Sequence, residues 1–310
     1  REDGIIDQEA EDLKQQLQQK QEEMLPLLDK HFIKWEFSEK IEGFRNSIES
    51  FQPISDQEIL VGGWGGELRT FNTETKQLSE KIGGFDSICS FQPISDQELL
   101  VGGRKGELRI LDTKTKQLSE KIEGFGNNIN SLQPISDQEI LVGGFGGELR
   151  IFDTESKQFS KKIEGFDESV HSFQPISGRE ILVGGFGGEL RTLNTEIRAL
   201  SEKIGGFDGH ILTFQPISDQ EILVGGSGGE LRIFDTVSKQ FSKNIGEFGN
   251  RILSFQPISD REILVGEEEG GLRIFNTKGK KLSPKIGGFR GWYVNPDIKS
   301  FQPISDREIL

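Results

Sequence analysis

FQPISDQEILVGGWGGELRTF, residues 51–71, decides how this chain is read. Two apolar runs, Ile59-Leu60-Val61 and Leu68 to Phe71, flank a glycine-rich pentapeptide, GGWGG at 62–66. The runs are rich in residues that suit a pleated, half-buried strand. The glycines suit a tight hairpin, because such turns need positive φ. The same frame then returns as GGRKG, GGFGG, GGFGG again, GGSGG and GEEEG. Its flanks are copied almost letter for letter. The tip is not: it reads Trp64, Arg104, Phe145, Phe186, Ser227 and Glu268. A scaffold copied this closely, with one column left to change, poses a question about that column.

The copying extends over most of the sequence. The motif QPIS begins at Gln52, Gln92, Gln133, Gln174, Gln215, Gln256 and Gln302, at spacings of 40, 41, 41, 41, 41 and 46. A period of this length marks a stacked or radial repeat. Each unit reads as four short strands. In the first, strand A is expected at 47–54, B at 58–63, C at 67–71 and D at 76–82, with Ser, Asp, Asn and Thr in the turns. In ELRIF, Leu and Ile point one way while Phe and the Arg stem point the other, so both faces of a sheet need a neighbour. Radial repetition supplies one on each side and leaves only short edges.

The count of units predicts an all-β, seven-bladed propeller of four-stranded antiparallel blades. Six blades are complete. FSEKI (37–41) matches the D strand LSEKI, and IKSFQPISDREIL (298–310) gives an A strand and the start of a B. Read together they make a seventh blade shared between the termini. Pro284 falls in a D strand, an outer edge where a missing N–H is tolerated. Residues 34–310 form the propeller on this reading, and residues 1–33 a separate N-terminal segment. The sequence starts without Met and ends in mid-motif, as a piece of a longer protein would.

The N-terminal segment is expected to hold a short α-helix. From Asp7 to about Met24 it is rich in Gln, Glu and Lys, and Leu13, Leu17, Met24 and Leu27 lie at helical spacing. Residues 7–28 resemble a short coiled coil, interrupted by Lys20 and ended by Pro26. Self-association through this helix and packing on the protein's own propeller are both open.

The 41-residue, four-strand unit resembles the WD-repeat β-propeller pattern over roughly residues 35–310. LRIFDT at 149–154 and 231–236 is similar to the family's strand-C ending, with Phe for Trp. The family's Gly-His pair before strand A stands here as Gly-Phe, at Phe44, Phe85, Phe125, Phe166, Phe207 and Phe289, with Glu247 before Phe248. The family's Asp in the B–C turn is Gly. The buried Asp-His-Ser-Trp network of that family is therefore not expected, and Phe is expected to fill the gap between blades by burial. The resemblance implies that the face bearing the B–C tips and D–A loops binds a partner.

Two further columns change freely beside the tip. One starts strand A: Ser47, Ser87, Asn128, Ser169, His210, Arg251 and Asp297. The other lies two residues on: Glu49, Cys89, Asn130, His171, Leu212, Leu253 and Lys299. In an up-and-down blade these columns share one end. The candidate partner-binding residues are therefore Trp64, Arg104, Lys105, Phe145, Phe186, Ser227, Glu268, Glu49, His171, His210 and Arg251. To these the long last D–A loop (290–299) adds Trp292 and the single tyrosine, Tyr293. Exposed aromatics on a loop are hot-spot candidates. Drift among recently duplicated copies is the competing account. The near-constant A–B turns of the opposite end weigh against it.

Composition narrows the function. The formal net charge of −14 argues against nucleic-acid binding, which needs concentrated Lys and Arg. One cysteine precludes an internal disulfide, and no apolar run is long enough to span a bilayer. An intracellular protein without membrane insertion is expected. Three histidines and one cysteine give no metal-ligand spacing, and no cofactor motif is present. Cys89 has no base beside it in sequence, so no catalytic residue is assigned. The arginines of ELR (Arg69 and its repeats) read as structural pairing between blades. The expected function is a non-catalytic protein-interaction scaffold or recognition module. A lectin-like propeller and an architectural subunit are the alternatives.

Overall fold

The structure is a computed structural model, and it describes residues 43–288, 301, 303–305 and 308–309. Contacts divide the protein into Arg1–Glu42 and Gly43–Leu310, and the described residues all belong to the second unit. The helix expected at residues 7–28, the strand at 37–41 and the boundary after residue 33 lie outside the described residues.

Each repeat forms an antiparallel sheet in the order A-B-C-D. In blade 1 the strands are Ile48–Pro53, Glu58–Gly63, Leu68–Asn72 and Gln77–Leu78. Strands A of blades 2 to 6 are Ile88–Pro93, Ile129–Pro134, Val170–Pro175, Ile211–Pro216 and Ile252–Ser259. Consecutive A strands lie side by side, which places them innermost. In blade 2 the fourth strand shrinks to a single bridge, Leu111 to Leu118.

The blade count corrects the expectation. Six four-segment blades are present among the described residues, and the fold is an all-β, six-bladed propeller rather than a seven-bladed one with an N-terminal helix. The last QPIS segment makes only a two-stranded hairpin, Pro303–Ser305 with Glu308–Ile309. Among the described residues this hairpin pairs with no further strand. Its Phe301 and Ile309 pack on Leu264, Leu272 and Ile274, whose counterparts in blades 1 and 2 meet the blade that follows. The sequence matches at the two ends suggest halves of one blade; the N-terminal half, 37–41, lies outside the described residues. Among the same residues there is no α-helix, only single 3-10 turns at four of the tips.

The core lies between blades. Leu60 and Leu68 of blade 1 pack with Phe85, Ile88, Leu99 and Val101 of blade 2. Leu100, Leu108 and Ile110 of blade 2 pack in turn with Phe125, Ile129, Ile140 and Phe152 of blade 3. The same arrangement recurs to blade 6. Phe85, Phe125, Phe166, Phe207 and Phe248 of this column are buried, and they plug the interblade gaps by apolar contact; Phe44 is half-buried. Phe125 and Phe152 both meet Phe159 of strand D, with ring centroids 5.6 and 5.3 Å away.

A polar network also holds each blade, and strand D shows why it is so short. In blade 3 the Ser160 hydroxyl, not its carbonyl, accepts the N–H of Ile151 at 3.0 Å. The displaced carbonyl of Ser160 accepts Arg150 Nη1 at 3.0 Å. Arg150 Nε donates to Glu148 at 3.0 Å, and buried Glu148 accepts the N–H of Gly126 at the root of the D–A loop. Arg109 and Arg191 pair with Glu107 and Glu189 in the same way. The arginine column is therefore structural, but its pairing runs within a blade and not between blades. Replacing Ser160 by Ala should orphan the Ile151 N–H, which sits in the core. A loss of about 1–3 kcal/mol in urea unfolding is expected; an unchanged midpoint would show the network to be incidental.

Candidate partner-binding face

The tip pentapeptide is least constrained at its third position. A Cβ on Gly62 would lie 2.5 Å from the Phe91 ring of the next blade, and one on Gly63 would lie 2.2 Å from the Ser47 carbonyl oxygen. Gly66 has φ +64° and its Cβ would sit 1.6 Å from the Phe85 carbonyl oxygen. The fourth position is also left-handed, at Gly65 (φ +71°), and Lys105 and Glu269 occupy it at some strain in blades 2 and 6. Only the third position combines an ordinary backbone with open space. Geometry therefore makes the third column the least constrained, while Glu267, Lys105 and Glu269 show that the second and fourth positions also admit a side chain.

Backbone bonds bring the variable columns together. The N–H of each tip residue donates to the carbonyl of the residue that starts strand A of its own blade: Trp64 to Ser47, Phe145 to Asn128, Phe186 to Ser169, Ser227 to His210 and Glu268 to Arg251, at 2.9–3.0 Å. Arg104 reaches Ser87 at 3.3 Å. The fourth tip residue then latches onto the next blade. Lys105 N donates to Asn128 Oδ1, Gly146 N to Ser169 Oγ and Gly187 N to His210 Nδ1, at 3.0, 3.3 and 2.9 Å. The strand-A column is thus partly a set of interblade latches, a role not visible in the sequence.

The tip side chains differ in what they leave open. The Arg104 guanidinium lies over the Trp64 ring, 3.8 Å from its centroid. Lys105 is held by Asp86, which keeps that carboxyl below and that ammonium above their usual pKa ranges. Phe186 stacks on His210 with centroids 3.6 Å apart. Nδ1 of His210 can accept from Gly187 only while unprotonated, and burial, with Arg251 nearby, lowers its pKa. Ser227 Oγ accepts the His210 N–H at 2.8 Å. Glu268 pairs loosely with Arg251 at 3.9 Å, and Asn250 donates to Glu269. Phe145 carries no ring contact and is 59% exposed. Trp64 and Phe186 keep 44% and 43% of their surface open. Trp292 and Tyr293 lie outside the described residues.

The third column lies deeper along strand A, where Glu49, Cys89, Asn130, His171, Leu212 and Leu253 are all half-buried. Asn130 donates to the Val170 carbonyl of the next A strand at 2.8 Å. Burial, then His210 and Arg251, pulls the His171 pKa down from 6.5 to about 4. A histidine harder to protonate when folded takes up protons on unfolding. Its contribution is complete above about pH 6.5, falls as pH drops towards 4 and is flat below. At 1.36 kcal/mol per pKa unit this comes to about 3 kcal/mol. His171→Asn, which copies the blade-3 residue, should reduce the pH dependence of the urea midpoint across that window, leaving the share of His210, whose pKa is also lowered. Asp112, Asp153 and Asp235, lowered mainly by backbone N–H groups of their turns, act only below their usual 3.8. An unchanged slope in the variant would assign the effect elsewhere.

The opposite end is pinned by its own bonds. Ser55 Oγ accepts the N–H groups of Gln57 and Glu58, and Thr73 N donates to the Gln57 carbonyl at 2.8 Å, stapling the A–B turn to the C–D turn. Lys116 then reaches back to Glu58 of the preceding blade at 3.0 Å, and Arg198 to Glu139 at 2.6 Å. The constancy of these turns follows from this bonding. It carries no weight against drift at the tips. Two apolar side chains, Ile197 and Val237, are exposed in the C–D turns of blades 4 and 5.

No family model matches the sequence, and no curated protein sequence matches it. Among the described residues, no helix is long and apolar enough to cross a membrane. Among solved structures the protein is similar to the WD40 β-propeller domain of Doa1, with 12% identity and a TM-score of 0.73, over 87% of this chain and 90% of that one. It is also similar to the computationally designed protein Ika8, with 16% identity and a TM-score of 0.65, over 84% and 79%. Likeness at these identities shows the fold alone, that of a β-propeller.

Proposed function

We propose that this protein is a non-catalytic recognition module. It binds a protein or peptide partner through the end of the propeller that carries the B–C tips and D–A loops. The observation that carries the reading is the exposure of three large aromatics, Trp64, Phe145 and Phe186, at one end of blades 1, 3 and 4. Exposed aromatics anchor interfaces because they bury a large area at low entropic cost. Charged tips at Arg104, Lys105 and Glu268 add direction to the approach of a partner. The general use of WD40 propellers in protein–protein interaction supports the same assignment.

A lectin would need an equivalent stacking platform in each blade. Arg104 covers the Trp64 ring and His210 covers Phe186, so the platforms are unequal and two are already occupied. The test is capture from native extract by the wild-type protein and by a variant with all six tips reset to GGSGG. A protein retained only by the wild type supports the proposal. Identical captured sets contradict it.

A further inference from the structure

The Trp64–Arg104 pair does not leave an indole open as a simple anchor. The guanidinium of blade 2 lies 3.8 Å over the ring of blade 1, so its flat face is already covered and weakly hydrated. Among the described residues no carboxylate lies within ion-pairing distance of Arg104. Of the other tip-end cations, Lys105 pairs with Asp86 and Arg251 meets Glu268. Arg104 is half-buried, and its backbone is fixed by the bond from its N–H to the Ser87 carbonyl. A guanidinium held 3.8 Å over an aromatic ring, with no carboxylate paired to it among the described residues, is placed to receive a planar anion that takes two parallel N–H bonds.

We infer that Arg104, stacked on Trp64, is the carboxylate receptor of the variable face, so that the partner presents an acidic group at blades 1 and 2. The inference rests on the proposed partner-binding role of this face. The carboxylate is that of an Asp or Glu residue or of a free C-terminus. A lysine in place of Arg104 would keep the charge and lose both the stack and the fork.

The protein has three tryptophans, so its indole N–H resonances form a simple nitrogen-15 spectrum, and Trp64→Phe assigns one of them. The probes are three capped peptides at tens of millimolar and constant ionic strength: acetyl-Gly-Glu-Gly-amide, acetyl-Gly-Gly-Gly with a free C-terminus, and acetyl-Gly-Gln-Gly-amide. The Trp64 resonance is expected to shift saturably with at least one carboxylate peptide and not with the glutamine peptide. Which of the two acts identifies the source of the carboxylate. Arg104→Gln should abolish the shift, and Arg104→Lys should weaken the apparent affinity at least about fivefold. No shift with either carboxylate, an equal shift with glutamine, or a shift retained in Arg104→Gln overturns the inference. Capture from extract is read separately. A still indole with tip-dependent capture refutes the carboxylate receptor alone, whereas tip-independent capture refutes the face.

Discussion

Gly66→Ala is expected to destabilise the propeller by about 3–4 kcal/mol. Two effects combine. An L-residue at φ +64° carries about 1–2 kcal/mol of strain, and forcing an atom into packed space typically costs about 1–3 kcal/mol. The obstacle here is the Phe85 carbonyl oxygen, 1.6 Å from the added carbon. Backbone cannot swing aside as a side-chain end can, and Phe85 itself is wedged between blades 1 and 2. Two residues away, Trp64→Ala should change stability by no more than about 1 kcal/mol, because it removes a partly exposed ring and one surface cation–π contact. The contrast is measured by urea unfolding of both variants. Similar losses from the two would mean that the tip column is not the least constrained position described above.

The second large effect is on binding. Replacing Trp64, Phe145 and Phe186 together by Ala should weaken a captured partner at least about 100-fold, since truncating anchors of this kind costs about 2 kcal/mol or more each and the costs do not add. The melting temperature of that triple variant should stay within a few degrees of the wild type. Ile197→Ser with Val237→Ser removes exposed apolar surface from the other end of the blades and should leave the affinity unchanged. Titration calorimetry with the purified partner reads both. A larger loss from the Ile197 and Val237 pair would move the interface to the opposite end.

Most of the blade was legible in the sequence. Strand B was expected at 58–63 and is Glu58–Gly63; strand A was expected at 47–54 and is Ile48–Pro53. Short apolar runs between Gly, Ser and Asp turns carry that information locally. Strand D, expected at 76–82, is only Gln77–Leu78. A serine hydroxyl takes the place of a ladder carbonyl there, and strand propensity says nothing of that substitution. The number of blades was not legible, because a repeated segment records what could pair and not what does. The hairpin at Pro303–Ser305 shows the difference: it packs on blade 6 without completing a sheet of four.

The candidate face was legible only as a set of columns. The sequence placed Trp64, Phe145 and Phe186 in one column, and the structure leaves all three exposed. It could not tell that Asn128, Ser169 and His210 latch one blade to the next, because that role appears only when two repeats are set side by side. A signal for the blade network was present in the Glu-Leu-Arg of strand C in blades 1 to 5 (Gly271-Leu-Arg in blade 6) and in the constant Ser of strand D. The pattern alone suggests pairing between blades, because the Ser carbonyl that links these residues within a blade leaves no trace in side-chain identity.

Hydroxyl-radical footprinting of the complex tests the central claim most directly. Side-chain oxidation would be compared in the free protein and with the captured partner bound. The account predicts protection of Trp64, Phe145 and Phe186 together, with Ile197 and Val237 oxidised as before. Protection confined to Ile197 and Val237, with the three tips unchanged, would contradict it.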